Sequence, residues 1–518
     1  MSTSAVRVVR NAYVDSLVLM VATVAMDTSE GISWAGAVMA TSEGMADLAD
    51  EGFDGADVHG LEANDLVLAV RGEDEGACAA ALDAGREAAF ADRGVASAAE
   101  ELPPATLAEA VRRSPTSNVA IVSVPGQYAA LQAHHALTAG MHVLLFSDGV
   151  PLEEEVELKA RGTELGLLVM GPGAGTAVLG GTGLGFANAL TARAGDTRTV
   201  GVVAAAGTGA QEVSALLDRW GVQVSQVIGV GGRDLSEPVG GAMARLAARS
   251  LDEDPGTGVV LLVSKPPSLP AAEAVLAECR RTRAVATFLG LADLEPPAGV
   301  QLVPTLEQGA VAAAVLAGAT VPPLTPDLQD LVAGACARVD PARTRVSGLF
   351  SGGTLCYEAQ WVLEQHVGEV WSNEPLRKER TTPAPDGAHV LLDLGAEEYT
   401  RGVPHPMIDP SGRLEMLGRQ AEDPSVAVVL MDVVLGYGSH PDPAGQIAPV
   451  AAQLMADGGP QVIAYVLGTE GDPQVYSRQR AALEAVGVVV AETNARAAYA
   501  AVALVLRDPS VVEQGLPA

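Results

Sequence analysis

Two short stretches combine residue types and spacing suited to holding an anion: Ala205-Ala206-Gly207-Thr208-Gly209-Ala210-Gln211-Glu212 and Ser351-Gly352-Gly353-Thr354-Leu355-Cys356-Tyr357-Glu358. Each follows an apolar run that reads as a strand and opens a run that reads as a helix, so backbone N–H groups and a hydroxyl gather at the positive end of a helix dipole. Gly207, Thr208, Gly209, Gly352, Gly353 and Thr354 are the expected phosphate cradle. Two such loops in one chain predict a shared anion, which would hold them within about 8 to 10 Å of each other. For either loop alone, glycine that merely turns the chain is the alternative. Arg233 is a candidate to neutralise a second anionic group, with Asp234 holding it in place. His405 and Asp409 lie four apart in a Pro-flanked loop, as a base and its orienter would, and a histidine bracing the turn is the other reading.

The elements around these loops repeat. The first loop is followed by the turn Gly229-Val230-Gly231-Gly232-Arg233-Asp234, then Asp254-Pro255 and an apolar run at 259–263. The second is followed by Leu392-Asp393-Leu394-Gly395, then Asp423-Pro424 and an apolar run at 426–430. Loop, helix, Gly-rich turn, Asp-Pro and buried strand in the same order read as two copies of one α/β unit. The Asp-Pro pairs themselves are structural, since Pro ends a helix and starts the turn into the strand.

A chain of 518 residues, 48% apolar with 57 glycines, has ample core material for several domains. Apolar Val, Leu and Ala runs divided by Gly and Asp suggest parallel strands alternating with helices, an α/β fold. Residues 1–100 read as a small α/β module with strands near 7–11, 34–40 and 65–70 and an Ala-rich helix over 74–90. Residues 101–195 read as a Rossmann-like unit, with the boundary at 100–104. Residues 196–320 form the first repeat, 321–345 a Pro-rich linker, and 346–510 the second repeat, with a polar surface loop at 373–387 and a frayed tail beyond 509. After the first Rossmann-like strand, at 119–124, there is no GxGxxG fingerprint, so dinucleotide binding is unsupported.

The net charge of −32, from 64 acidic and 32 basic residues, argues against nucleic-acid or anionic-membrane partners. An anionic substrate then needs local positive potential, for which Arg233, Lys265, Arg401 and the helix starts are the candidates near Gly-rich turns. Cys78, Cys279, Cys336 and Cys356 show no CxxC spacing, and adjacent His134 and His135 point to different helix faces, so no metal site is expected. Cys356 sits in the first turn of its helix, where a thiolate would be favoured and packing is the alternative. No span of about 20 uncharged apolar residues is present, which leads to the expectation of a cytoplasmic protein.

Three segments together resemble the succinyl-CoA synthetase superfamily. Residues 122–176 look like the second half of an α-subunit CoA-binding domain, 199–290 like its first ligase domain, and 346–470 like the ligase domain that ends the β-subunit. The resemblance implies a Rossmann-like CoA-binding-type domain followed by two flavodoxin-like ligase-type domains. Within the superfamily the chain is similar to the FdrA family, through Gly229-Val230-Gly231-Gly232-Arg233-Asp234-Leu235-Ser236, Val263-Ser264-Lys265-Pro266-Pro267, Ser351-Gly352-Gly353-Thr354-Leu355 and Pro404-His405-Pro406-Met407-Ile408-Asp409-Pro410. Tyr13-Val14-Asp15-Ser16 and Phe146-Ser147-Asp148 add to it.

In that superfamily the two Gly-rich helix starts converge on a phosphohistidine, and Glu212 and Glu358 match carboxylates that contact it. Here residues 268–365 contain no histidine; the eight are His59, His134, His135, His142, His366, His389, His405 and His440. Glu212 and Glu358 are then candidates for the phosphate site, for capping, or for partner lysines. No segment resembles the nucleotide-supplying ATP-grasp fold, and the opening of a CoA pyrophosphate site is missing. The resemblance implies a carbamoyltransferase subunit of purine and allantoin degradation, interconverting an oxalurate-like N-carbamoyl amide plus phosphate with an oxamate-like amide plus carbamoyl phosphate. Two further subunits are expected as partners. Inorganic phosphate is then a substrate and no cofactor is expected, with CoA as the alternative. The alternative is a subunit of an ADP-forming acyl-CoA synthetase whose histidine and nucleotide site come from a partner chain.

Overall fold

The computed structural model describes residues 3–516 except 54, 56, 57, 59, 91–102, 194–198 and 292–293. His59 and most of the boundary expected at 100–104 lie outside the described residues. The chain forms two compact units.

The first unit comprises residues 1–115, 123–125 and 397–405. Its antiparallel sheet runs in the order Thr3–Val9, Leu66–Gly72, Ile32–Met39. The central strand is apolar on both faces because both faces are covered. Leu66, Leu68 and Val70 pack with Ala22 and Met26 of the helix Ser16–Asp27 and with Cys78, Ala81 and Leu82 of the helix Glu75–Phe90. Val67 and Ala69, one residue out of phase, pack with Leu48 and Phe53. Asp15 caps its helix by accepting from the Val18 amide at 2.9 Å.

The second unit contains three sheets. A parallel sheet pairs Val119–Val122, His142–Leu145 and Val169–Met170. The largest runs Val300–Val303, Arg283–Phe288, Val259–Ser264, Thr199–Ala205, Gln223–Gly229, then the hairpin Thr176–Leu179 and Thr182–Gly185. Its first five strands are parallel, and the hairpin joins antiparallel. The third, wholly parallel, runs Val370–Trp371, His389–Asp393, Arg345–Phe350, Val426–Val434, Gln461–Leu467, Val489–Ala491. In chain order the parallel strands of both larger sheets follow the flavodoxin-like 2-1-3-4-5 pattern, the third carrying an extra edge strand. Both Gly-Thr loops therefore leave the carboxyl end of strand 1 at a topological switch point, where open α/β sheets bind ligands.

The repeated Asp-Pro pairs are turns, as their chemistry demands. Asp254 accepts from the Thr257 hydroxyl at 2.8 Å, and Asp423 from the Ser425 amide at 2.8 Å. Gly231, at φ +88°, packs on the Gly171-Pro172 turn so closely that a Cβ would lie 2.8 Å from the Pro172 carbonyl oxygen.

Two features differ from expectation. The stretch 321–345 contains the helix Leu328–Arg338, which buries Leu328, Val332 and Ala335 at helical spacing in the core shared by the two repeats. The tail is docked: Pro509–Glu513 is a 3₁₀ helix with Val511 and Val512 buried in that same core. Among the described residues, no helix is long and apolar enough to cross a membrane.

Candidate functional site

The first-repeat helix Gly207–Arg219 and the second-repeat helix Gly353–Val367 begin at extended residues, Ala206 and Gly352, and neither has a side-chain cap on its first amides. The two loops touch. A Cβ on Gly352 would sit 2.8 Å from Thr208 Cγ2 and 2.9 Å from its Oγ1, and a Cβ on Gly209 would sit 3.0 Å from Thr354 Cγ2. Each threonine thus occupies the space that the other loop's glycine leaves free. Two uncapped, positively polarised helix starts are brought together by this contact.

Charged side chains surround the second helix start. Asp432, on the strand Val426–Val434, accepts from the Ser351 amide and hydroxyl at 2.9 and 2.8 Å and from the Gly352 amide at 2.7 Å. Buried Arg413 pairs with the same carboxylate at 2.9 Å. Asp432 therefore fixes the loop ahead of the helix. Asp393, at the end of the strand His389–Asp393, and Lys265, just past Val259–Ser264, flank the first turn itself. A Cβ on Gly353 would lie 2.3 Å from Asp393 Oδ2 and 3.4 Å from Lys265 Nζ. Burial pushes the Asp393 carboxyl up to about 6, against the pull of Lys265. Lys265 Nζ lies 5.9 Å from the Tyr357 ring centroid, and no hydrogen-bond acceptor reaches it among the described residues. An ammonium over a helix N-terminus is electrostatically unfavourable, and among the described residues the neighbouring Asp393 carboxylate offsets it without a hydrogen bond.

Glu212 and Glu358, five residues into their helices, point away from this mouth and are buried. Glu358 accepts from the Leu306 amide at 2.6 Å, the first amide of the helix Leu306–Leu316 in the other repeat, and from Asn494 Nδ2 at 2.8 Å. Glu212 accepts from the Asn494 amide at 3.2 Å, the first amide of the helix Asn494–Leu506, again in the other repeat. The two contacts are reciprocal, and each glutamate caps a helix of the opposite copy. Burial pushes Glu358 up to about 7 and, with the Glu358 charge adding to it, pushes Glu212 well above the carboxylate range. The hydrogen bonds they make lie inside the seam between the repeats, as capping partners.

Other sequence candidates lie elsewhere. Arg233 is held by Glu155, at 2.8 Å, and donates to the Val150 carbonyl. Asp234, expected to hold Arg233, instead pairs at 2.9 Å with fully buried Lys159 and accepts from the Met243 and Ala244 amides at the start of a helix. The expectation failed because a buried lysine from a distant helix competes for that carboxylate. Asp409 accepts from the Ser411 amide at 2.9 Å and so serves the helix Ser411–Arg419, while His405 belongs with residues 397–405 to the first unit. Arg401, in the same segment, pairs with Glu397 at 3.3 Å. Cys356 is buried, which pushes its thiol up and opposes the thiolate that the helix start favours. The chain has no histidine between His142 and His366. Of those flanking this gap, His142 and His389 accept from the backbone amides of Leu168 and Val346, and His366 meets Tyr499 edge-on.

Sequence reasoning missed Asp432 and Arg413, and named Asp393 only as part of a turn. An Asp ending an otherwise apolar strand, as in His389–Asp393, was the available signal.

The second of the paired flavodoxin-like sheets lies in a segment similar to CoA ligases. The CoA-ligase family model matches residues 349–504, and the model "AllF, heavy metal-associated domain" matches residues 1–103. The chain belongs to the same family as the uncharacterized protein YahF of Escherichia coli K12, with 38% identity over 498 residues, 93% of this chain and 95% of that one. Succinate–CoA ligase [ADP-forming] subunit alpha 2 of Archaeoglobus fulgidus is 29% identical over 159 residues, 30% of this chain and about half (53%) of that relative. An acetyl-coenzyme A synthetase structure from Ca. Korarchaeum cryptofilum matches at TM-score 0.30 and 14% identity, covering 77% of this chain and 86% of that one.

For a heavy metal, Cys78 of the first unit is buried and donates to the Thr3 carbonyl, and no group of three or more potential ligands occurs among the described residues. These residues do not fit a metal. The helix Gly126–Thr138 begins against backbone, where a Cβ on Gly126 would lie 2.3 Å from the Asp148 carbonyl oxygen.

Proposed function

We propose that the chain is the phosphate-handling subunit of an ADP-forming acyl-CoA ligase-type enzyme, with nucleotide and CoA sites supplied by partner chains. The observation that carries this reading is Lys265, whose ammonium has no hydrogen-bond acceptor among the described residues and lies over an uncapped helix start. A phosphate or acyl phosphate there would take Lys265, the hydroxyls of Thr208 and Thr354, and the free amides of both helices. The same oriented amides would stabilise charge that develops as a phosphate oxygen attacks or leaves an acyl carbon, an effect worth roughly 3 to 4 kcal/mol per well-placed donor. The similarity to ADP-forming succinate–CoA ligase supports this class.

One observation favours a second reading. With no histidine between 142 and 366, the chain brings no phosphate carrier from its first repeat. That suits direct attack of phosphate on the carbamoyl carbon of an oxalurate-like compound, releasing an oxamate-like amide and carbamoyl phosphate, in an FdrA-like complex with two further subunits. The assay is common to both: the full chain with its co-encoded partners is given a carboxylate, ATP and CoA, or carbamoyl phosphate and oxamate. ATP- and CoA-dependent thioester formation supports the ligase. Oxalurate and phosphate release without ATP or CoA replaces it with the carbamoyltransferase.

A further inference from the structure

We propose that Asp393 makes the site at the start of the helix Gly353–Val367 selective for an oxyanion that itself carries a proton, hydrogen phosphate, over one that does not, such as sulfate. The inference rests on the anion site proposed above. Asp393 retains 6% of its surface exposure, and its Oδ1 accepts from the Gly395 amide at 3.0 Å. Among the described residues no donor reaches Oδ2, which faces the first helical turn beside Gly353. The other nearby carboxylate is differently placed. Asp432 has both oxygens occupied, by Ser351, Gly352 and Arg413, and so makes no demand on a ligand.

An anion drawn in by Lys265 and the helix amides therefore meets an unsatisfied carboxylate oxygen. Sulfate offers Oδ2 only lone pairs. Hydrogen phosphate offers a P–OH group, converting the repulsive contact into a charge-assisted hydrogen bond.

A pH signature follows. The charged and titratable groups facing Asp393 are Lys265, which holds its carboxyl down, Glu374 and Asp432, which raise it, and the buried Cys356 thiol; burial dominates and brings it up to about 6. Below that pH Asp393 carries its own proton and can donate to sulfate, which stays a dianion throughout. Sulfate affinity should rise as pH falls through about 6.

The test is calorimetric titration of the full chain with sodium phosphate and sodium sulfate at pH 7.5, for the wild type, Asp393→Asn and Lys265→Met. Phosphate is expected to bind about tenfold or more tightly than sulfate, Asp393→Asn to bring the two within about twofold, and Lys265→Met to lose both. Equal wild-type affinities that are both lost in Lys265→Met would overturn the role of Asp393 while leaving the anion site standing. Neither anion binding the wild type, or Lys265→Met binding both unchanged, would overturn the anion site and the inference with it. Should Asp393→Asn fail to fold, the wild type alone decides: sulfate affinity must rise between pH 7.5 and 5.5, and a flat profile overturns the proposal.

Discussion

Glu358 shows how burial alone changes what a residue can do. Its carboxyl reaches about 7, with burial as the largest cause, although the Asn494 side chain and the Leu306 amide both pull it down. Its partner in the seam, Glu212, leaves Oε2 without a hydrogen-bond partner among the described residues. A group whose folded value lies above its unfolded one binds a proton in the folded state that the unfolded chain has already released. Stability from Glu358 is therefore fully present below about 4.5 and lost as pH rises to about 7, a drop on the order of 3 kcal/mol. Glu358→Gln, neutral at every pH, should flatten this part of the profile when melting temperatures are compared at pH 5 and pH 7.5. A variant whose melting temperature keeps the wild-type slope would show that Glu358 does not carry it. The sequence made Glu212 and Glu358 visible as a matched pair, but not their partners, because Asn494 is 282 residues from Glu212 and Leu306 is 52 from Glu358.

At the scale of elements, the repeat is what the sequence shows most plainly. Loop, helix, Gly-rich turn, Asp-Pro and buried strand follow from local rules of turn chemistry and apolar runs, whereas the order of the strands across the two sheets follows from no local rule. Contact between the loops was legible only as a consequence of shared charge logic, whereas the structure holds them together by shape, Thr208 against Gly352 and Thr354 against Gly209. Gly352→Ala places a methyl where Thr208 Cγ2, Thr208 Oγ1 and Asp432 Oδ2 all lie within 3.0 Å. Such overpacking costs about 1 to 3 kcal/mol, and the strain can be relieved only by parting the loops or displacing Asp432. Phosphate affinity should fall well beyond what the change in melting temperature would suggest, and Thr208→Ala combined with Gly352→Ala should recover part of it. Titration of the single and double variants with phosphate checks this; an unaltered affinity in Gly352→Ala would mean that loop contact does not shape the anion site.

Across the whole of the second unit, both repeats and the tail share one core, and Arg496 is the tie. Its guanidinium is fully buried, pairs with Glu307 at 2.9 Å, and donates to the Val512 and Gln514 carbonyls at 2.6 and 2.8 Å. Gln308 adds a bond to the Gly515 carbonyl at 2.8 Å. Nothing in Pro-Ser-Val-Val-Glu-Gln-Gly-Leu-Pro-Ala, residues 509–518, announces this, for two adjacent valines have no periodicity and the backbone acceptors have no side-chain signature. Deleting residues 509–518 would strip two acceptors from a buried cation, leave Glu307 as its main partner, and open the space filled by Val511 and Val512. Breaking one side of a buried charge network typically costs about 3 to 5 kcal/mol. The shortened chain should therefore melt at least about 5 °C lower than the full one. Arg496→Met, which removes the cation as well as its need for acceptors, should suffer less from the same deletion, because no charge is then abandoned in the core. Melting curves of the four proteins test the cycle: equal losses on deletion in the wild-type and Arg496→Met backgrounds would show that the tail acts through its valines alone.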